Sequence, residues 1–214
     1  MSKYKHLLVA GHGGLNPEGV YVTSPNWKKD DPKTWHKMHV GEDGVPLFEG
    51  VCNRNIVDKI TFLLEKEGIS YKLINPGYED ISLKERCVRV NKEQSIYGNC
   101  VSHFIHGNAY NSKAKGYEIW TSPGQTKADP MSTIIYEEAQ KEFPEFKWRA
   151  DWSDGDPDKE KNLYVLKHTS TPSVLPEVGF FDNADDAKIF GTAEGQWRIA
   201  KAYVAAIKRI ETEL

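Results

Sequence analysis

Twice in its first half the sequence runs from a short apolar strand through a helix into another strand, and this repeat constrains the fold more than any other feature. Residues 7–10, Leu-Leu-Val-Ala, are a continuous apolar run of strand length. Ile56, Ile60, Leu63 and Leu64 then recur at helical spacing within residues 48–67, and Gly68 ends the pattern as a C-terminal cap. A strand over 70–74, a polar helix from Ser82 to about residue 97 and a strand over 99–106 complete the second passage. A strand reached through a helical crossover lies parallel to the one it left. Further strands are expected over 116–121, 163–166 and 174–178, with a helix over 129–141. A last helix carries Trp197, Ala200, Tyr203, Val204, Ile207 and Ile210 on one face. The expected class is α/β: one domain over 1–214, its central twisted sheet of about six strands mostly parallel or mixed and flanked by helices, with an active site at the strand C-terminal edge.

Composition narrows the partners. The 28 Lys and Arg against 31 Asp and Glu give a net charge of −3 with no block of one sign, so nucleic acid is not expected as a ligand. No run approaches the roughly 18 apolar residues that span a bilayer. Residues 7–10 are too short for a signal-peptide core and no cleavage site follows them, so synthesis in the cytoplasm without an export signal is expected. A monomer is the favoured state. Cys52, Cys87 and Cys100 are odd in number and lack a CxxC pair, which points to reduced thiols. Residues 15–47 form a long stretch rich in Pro, Gly, Trp and charge. Tyr21, Trp27 and Trp35 either wall a substrate groove there or pin a surface excursion. The carboxylate-dense residues 150–158 lack the spacing of a calcium loop and are read as a solvated loop.

Among the seven histidines, His12 follows a buried strand between glycines that let side chains and backbone approach closely, although a turn histidine has the same signature. His103 and His106 share a strand but, three apart, point to opposite faces, so only one can look into a given site. His106 stands nearer the strand end, before Gly107-Asn108-Ala109. Glu49 opens a helix, where the helix dipole alone would favour a carboxylate. Glu177 interrupts the apolar run around Val174 and Phe180. A carboxylate buried there must be paired, metal-linked or raised in pKa, the last of which suits a general base. Two histidines and a carboxylate can hold zinc with a position left for water, and a second carboxylate can then move protons.

In order along the chain stand Gly11-His12-Gly13-Gly14, Phe48-Glu49 at a helix start, Ile105-His106-Gly107-Asn108-Ala109, and Thr171-Pro172-Ser173-Val174-Leu175-Pro176-Glu177-Val178-Gly179-Phe180, with Asn183 and Asp186 beyond. Together they resemble the zinc-dependent N-acetylmuramoyl-L-alanine amidases of the Amidase_3 type. The resemblance implies a zinc ion (Zn2+) on His12, Glu49 and His106, and Glu177 as catalytic glutamate, activating the zinc-bound water and then protonating the departing nitrogen. It implies peptidoglycan as substrate, cut between the lactyl group of muramic acid and L-alanine. The place of action would be the cell wall, reached by export or as a phage endolysin. Asn108, Tyr117 and Arg149 are candidate groove contacts. Three departures stand out: Val9-Ala10 where the family carries Asp-Pro, Phe104 where it carries serine, and a longer first loop. Two rival readings remain. One is another zinc peptidase, such as a carboxypeptidase acting on a stem peptide, for which Arg54 is the arginine nearest the motifs. The other is a catalytically silent wall-binding or regulatory module of the same fold.

Overall fold

The computed structural model describes residues 2–214. Along the chain run β1 (Lys5–Ala10), β2 (Met38–Val40), β3 (Pro46–Phe48), α1 (Glu49–Glu67), β4 (Tyr71–Leu73), α2 (Leu83–Tyr97) and β5 (Cys100–Asn108). Then follow β6 (Tyr117–Thr121), α3 (Asp129–Glu142), β7 (Lys159–Glu160), α4 (Tyr164–His168), β8 (Ser173–Phe180), α5 (Ala184–Phe190) and α6 (Ala193–Glu213). Six strands make one sheet in the order β4-β1-β5-β8-β6-β7, while β2 and β3 pair as a separate hairpin. All sheet pairings are parallel except β6 against β8, so the sheet is mixed and mostly parallel.

Alternation along the strands divides the core. Leu8, Ala10, Val101, Ile105, Val174 and Val178 face α1, α3 and α6. Leu7, Val9, Phe104 and Leu175 face the smaller α2 and α4. The long helices close as their sequences direct: Gly68 takes a left-handed φ of 67° behind α1, and the Ser82 hydroxyl accepts from the Glu85 amide at the start of α2. Among the described residues no helix is long and apolar enough to cross a membrane.

Two expectations need correction. Residues 163–166 are not a strand; Tyr164–His168 is a short helix that buries Val165 and Leu166, and so short an apolar run carries no period that separates helix from strand. The sixth strand is instead Lys159–Glu160, which has no apolar residue to announce it. Nor is the 150–158 loop wholly solvated. Asp158 is buried, bonded by the hydroxyls of Thr121 and Ser132, and Asp156 has one buried, unpartnered oxygen.

A buried polar chain ties the last helix to the sheet. His6 Nε2 lies 2.9 Å from Glu211 Oε1, His6 Nδ1 lies 3.0 Å from His103 Nε2, and His103 Nδ1 lies 3.0 Å from the Tyr203 hydroxyl. With both rings neutral every atom is satisfied in one direction: Tyr203 donates to His103, His103 to His6, and His6 to the carboxylate. Burial, with His6 alongside, holds the His103 pKa well below its ordinary value, consistent with a neutral ring. All three cysteines are free and buried, and burial raises each thiol's pKa.

Tyr203→Phe should leave His103 Nδ1 without its donor in a dry site and cost about 1–3 kcal/mol, read as a lowered urea midpoint with an unchanged slope. A second expectation concerns pH. Burial, the hydrogen bond to Asp158 and the charges of Asp158, Asp154 and Asp129 push the Asp156 carboxyl up to about 7. Between the ordinary value of 3.8 and about 7 the folded chain keeps a proton the unfolded chain has lost, so this group's contribution falls as pH rises through that window. Asp156→Asn should therefore become progressively more stable than the parent from pH 4 to 8, as checked by thermal melts across that range.

Candidate functional site

Glu49 is the first residue of α1 and has no exposed surface. The β2–β3 hairpin, with an extended Phe48 as the cap, aims it at the C-terminal ends of β1 and β5. There its Oε1 lies 3.1 Å from His106 Nδ1 and accepts from Asn53 Nδ2, while its Oε2 lies 3.3 Å from His12 Nε2. Burial opposes its charge, yet the hydrogen bond to His106 and the His12 imidazole close by hold its carboxyl well below the usual range. The imidazoles stand at 90° with centroids 5.2 Å apart. His103, on the opposite strand face, belongs to the buried chain with His6.

Missing side chains make this crowding feasible. A Cβ on Gly11 would collide with the His106 ring, and one on Gly50 with the Gly13 carbonyl. His12 itself takes a left-handed φ of 58°, a conformation that costs a non-glycine residue roughly 1–2 kcal/mol. Its carbonyl is gripped by Arg54 Nη1 at 2.7 Å and Arg86 Nη2 at 3.2 Å. The Asn75 side chain both accepts from the Ala10 amide and donates to its carbonyl, 3.0 and 2.8 Å away. These bonds fix the backbone on either side of Gly11. Arg54 also reaches the carbonyls of Gly50, Gly77 and Glu79, so its fork is spent on backbone.

The parallel register of β5 and β8 sets Glu177 beside His106, with an irregularity just beyond it. Burial first, then the charges of Glu49 and Glu118, raise the Glu177 carboxyl well above its usual value, with Lys37 opposing. Its Oε2 is buried without a hydrogen-bond partner. Asn183 caps α5, and Asp186 accepts from the amides of Gly116 and Phe180 at 2.7 and 2.8 Å, so these motif residues hold the chain just past Glu177.

Of the candidate groove residues, Asn108 and Arg149 meet on Glu118, which lies opposite Glu177 in the β6–β8 register. Tyr117 does not join them: its ring is buried on the other face against Phe146 and Trp148. Alternation with Glu118 puts it there. Tyr21 is no groove wall either. It is fully buried against Phe48, donates to the Lys37 carbonyl and accepts from the Gly50 amide. Trp27 packs on Phe48 and Trp35 donates to the Lys28 carbonyl, so aromatics of the long loop pin it to itself. Three polar residues escaped the sequence reading. Lys37, at φ 58°, brings its ammonium to 3.5 Å from Glu49 Oε2, and nothing in its polar surroundings marked it. Glu118 and Lys159 form an ion pair at 2.7 Å; a carboxylate alternating with Tyr117 and Ile119 was the available signal for the first.

Whether a metal fits is decided by the donors. His12, Glu49 and His106 each offer one atom, all within 4.8 Å of one another, the one such group of three among the described residues. Two of the buried atoms, His12 Nε2 and Glu49 Oε2, have no hydrogen-bond partner. Orphaned lone pairs on a two-histidine, one-carboxylate set fit a zinc ion. A cavity of about 720 Å³ opens at the opposite edge of the sheet, around Cys100, Thr171 and Ser173, away from these residues.

A family model described as N-acetylmuramoyl-L-alanine amidase matches residues 7–209. An uncharacterised cell wall amidase of Bacillus anthracis is 36% identical over 107 residues, 48% of this chain, which spans only 19% of that relative's length. Among solved structures, an N-acetylmuramoyl-L-alanine amidase of Clostridium difficile 630 superposes with a TM-score of 0.74 at 20% identity, covering 100% of both chains. The amidase Ami1 of Mycobacterium smegmatis gives 0.74 at 17% identity, covering 100% of this chain and 99% of its own. At such identities the likeness is one of fold.

Gly50 offers a test of the packing that seats Glu49. Gly50→Ala drives a methyl into the Gly13 backbone, where no flexible side chain can yield. A loss of about 1–3 kcal/mol is expected, measured by chemical denaturation, whereas an exposed Gly19→Ala control tests φ strain without a collision.

Proposed function

This chain belongs to the N-acetylmuramoyl-L-alanine amidase family, and from that premise we propose that it is a zinc-dependent hydrolase of peptidoglycan, cutting between the lactyl carbonyl of muramic acid and L-alanine. The observation that carries this reading is the convergence of His12, Glu49 and His106, two of whose buried ligand atoms make no hydrogen bond, beside a protonatable Glu177. His12, Glu49 and His106 would hold the ion. Zinc supplies Lewis acidity to the scissile carbonyl and lowers the pKa of the attacking water. Glu177 takes the proton from that water at its unpartnered Oε2 and returns it to the departing nitrogen. Burial, which raises its proton affinity, favours holding the proton between those two events. The substrate lies along the open sheet face carrying His106, Glu177 and Glu118, with Asn108 and Arg149 at its side. The enzyme works at the cell wall, after export or after release by a lysis partner.

A second reading, a zinc peptidase that recognises a terminal carboxylate, needs an uncommitted arginine. Arg54 is not one, because its nitrogens hold backbone carbonyls. Arg149 is the arginine that keeps this reading open.

Purified protein should carry about one zinc per chain and lose turnover to a chelator. Glu177→Ala should keep the metal and lose roughly 100-fold or more in turnover, whereas His12→Ala should lose both, by metal analysis and digestion of purified peptidoglycan. Mass spectrometry of the new ends decides between the readings: free lactyl carboxyl and L-alanine amine for the amidase, shortened stem peptides for the peptidase.

A further inference from the structure

We propose that Arg149, backed by Lys159, forms a carboxylate subsite that reads a free acid on the peptide side of the scissile amide. The inference rests on the amidase reading and names the feature of the substrate that this face selects.

Glu118 is buried, and its two oxygens are heavily subscribed. Oε1 accepts from Asn108 Nδ2 at 2.8 Å, and Oε2 accepts from both Lys159 Nζ at 2.7 Å and Arg149 Nε at 2.9 Å. One carboxylate thus faces two cations. Lys159 alone offsets its charge, so the guanidinium is the second cation on one carboxylate. Only Nε of Arg149 is engaged, and the two terminal nitrogens hold no protein partner among the described residues. The Nε bond fixes one edge of the plane, and the Phe180 ring, 5.2 Å from the guanidinium carbon, fixes its tilt. With the side chain 30% exposed, the remaining edge is a pre-oriented fork whose geometry matches a carboxylate.

Its position sets which carboxylate. Arg149 extends the outer edge of β6, its backbone N–H donating a hydrogen bond to the Tyr117 carbonyl, and Glu118 stands directly across from Glu177. Facing residues of neighbouring strands have Cβ atoms about 5 Å apart, and Arg149 Nε lies 2.9 Å beyond the Glu118 carboxylate, so the fork stands roughly 7–10 Å from Glu177, a span of about two to three extended residues at about 3.4 Å each. The acid it meets belongs to the residue following the released L-alanine. A chain ending there in a free α-carboxylate satisfies the fork; the same residue as an amide brings an N–H donor against donors.

The test compares muramoyl-L-alanyl-D-isoglutamate with its isoglutamine counterpart, using the intact chain with zinc. The acid should be cleaved with about 10-fold or more higher kcat/KM, carried mainly by KM, and Arg149→Gln should bring the ratio to about one while Arg149→Lys restores part of it. Circular dichroism checks that the variants fold, since Glu118 keeps Lys159 and Asn108. Equal cleavage of acid and amide by the parent chain, or an unaltered preference in Arg149→Gln, overturns the subsite and leaves the amidase reading standing. If neither substrate is cut, that reading fails, and calorimetry with the L-alanyl-D-isoglutamate dipeptide and its amide decides the subsite: stronger binding of the acid, lost in Arg149→Gln, supports it, and equal or absent binding overturns it.

Discussion

The burial of Glu49 is the constraint on which the rest of the site depends. A carboxylate with no exposed surface costs several kcal/mol unless charges and hydrogen bonds offset its lost hydration. Here the offset comes from three places at once: the α1 N-terminus on which it sits, the His12 and His106 imidazoles, and the Asn53 amide. These partners arrive from β1, α1 and β5, so satisfying one side chain fixes the relative placement of three elements. Several small choices serve the same end. Gly11, Gly13 and Gly50 clear the space, Arg54 and Arg86 hold the His12 carbonyl, and Tyr21 bridges the long loop to the first turn of α1.

The two faces of the sheet are covered unequally. On one face α1, α3 and α6 pack along the strands, whereas on the other α2 and the short α4 cover the sheet around Leu7, Val9, Phe104 and Leu175. Strand alternation continues that second face into His106, Glu177 and Glu118, where apolar residues give way to polar ones. The same period of two that builds the core thus delivers the chemistry. Beyond Glu177 the chain turns at Gly179, with φ of 80°, and Asp186 ties that turn back to the amides of Phe180 and Gly116.

Much of this was legible because it was local. Helix and strand periods located α1, α2, α3, α6 and the four long strands, and the pleat separated His103 from His106 without any coordinates. The candidate ligands His12, Glu49 and His106 could be ranked since each stood at the end of a readable element. What escaped was set by tertiary context. Residues 163–166 and 159–160 were too short for a period to separate helix from strand. Tyr117 was one position out of phase with the groove, which needed the register of β6 against β8. Lys37 reaches Glu49 only through the path of a long loop anchored by its own aromatics, and nothing in the spacing of residues 15–47 encodes that path.

Charge pairing finally distinguishes three carboxylates that sequence alone would treat alike. Glu49 is set against two imidazoles, which hold its carboxyl well below the usual range, and Glu118 is bonded by two cations and an amide. Glu177 lies across from Glu118 and beside His106, with a buried, unpartnered oxygen and with the charges of Glu49 and Glu118 both raising its affinity for a proton. A group that moves protons has to find either state accessible, and a carboxylate locked into ion pairs cannot. Of the three, Glu177 is therefore the one whose surroundings suit the proton transfer proposed for it, and the same pairing that engages Glu118 leaves the terminal nitrogens of Arg149 without a protein partner among the described residues.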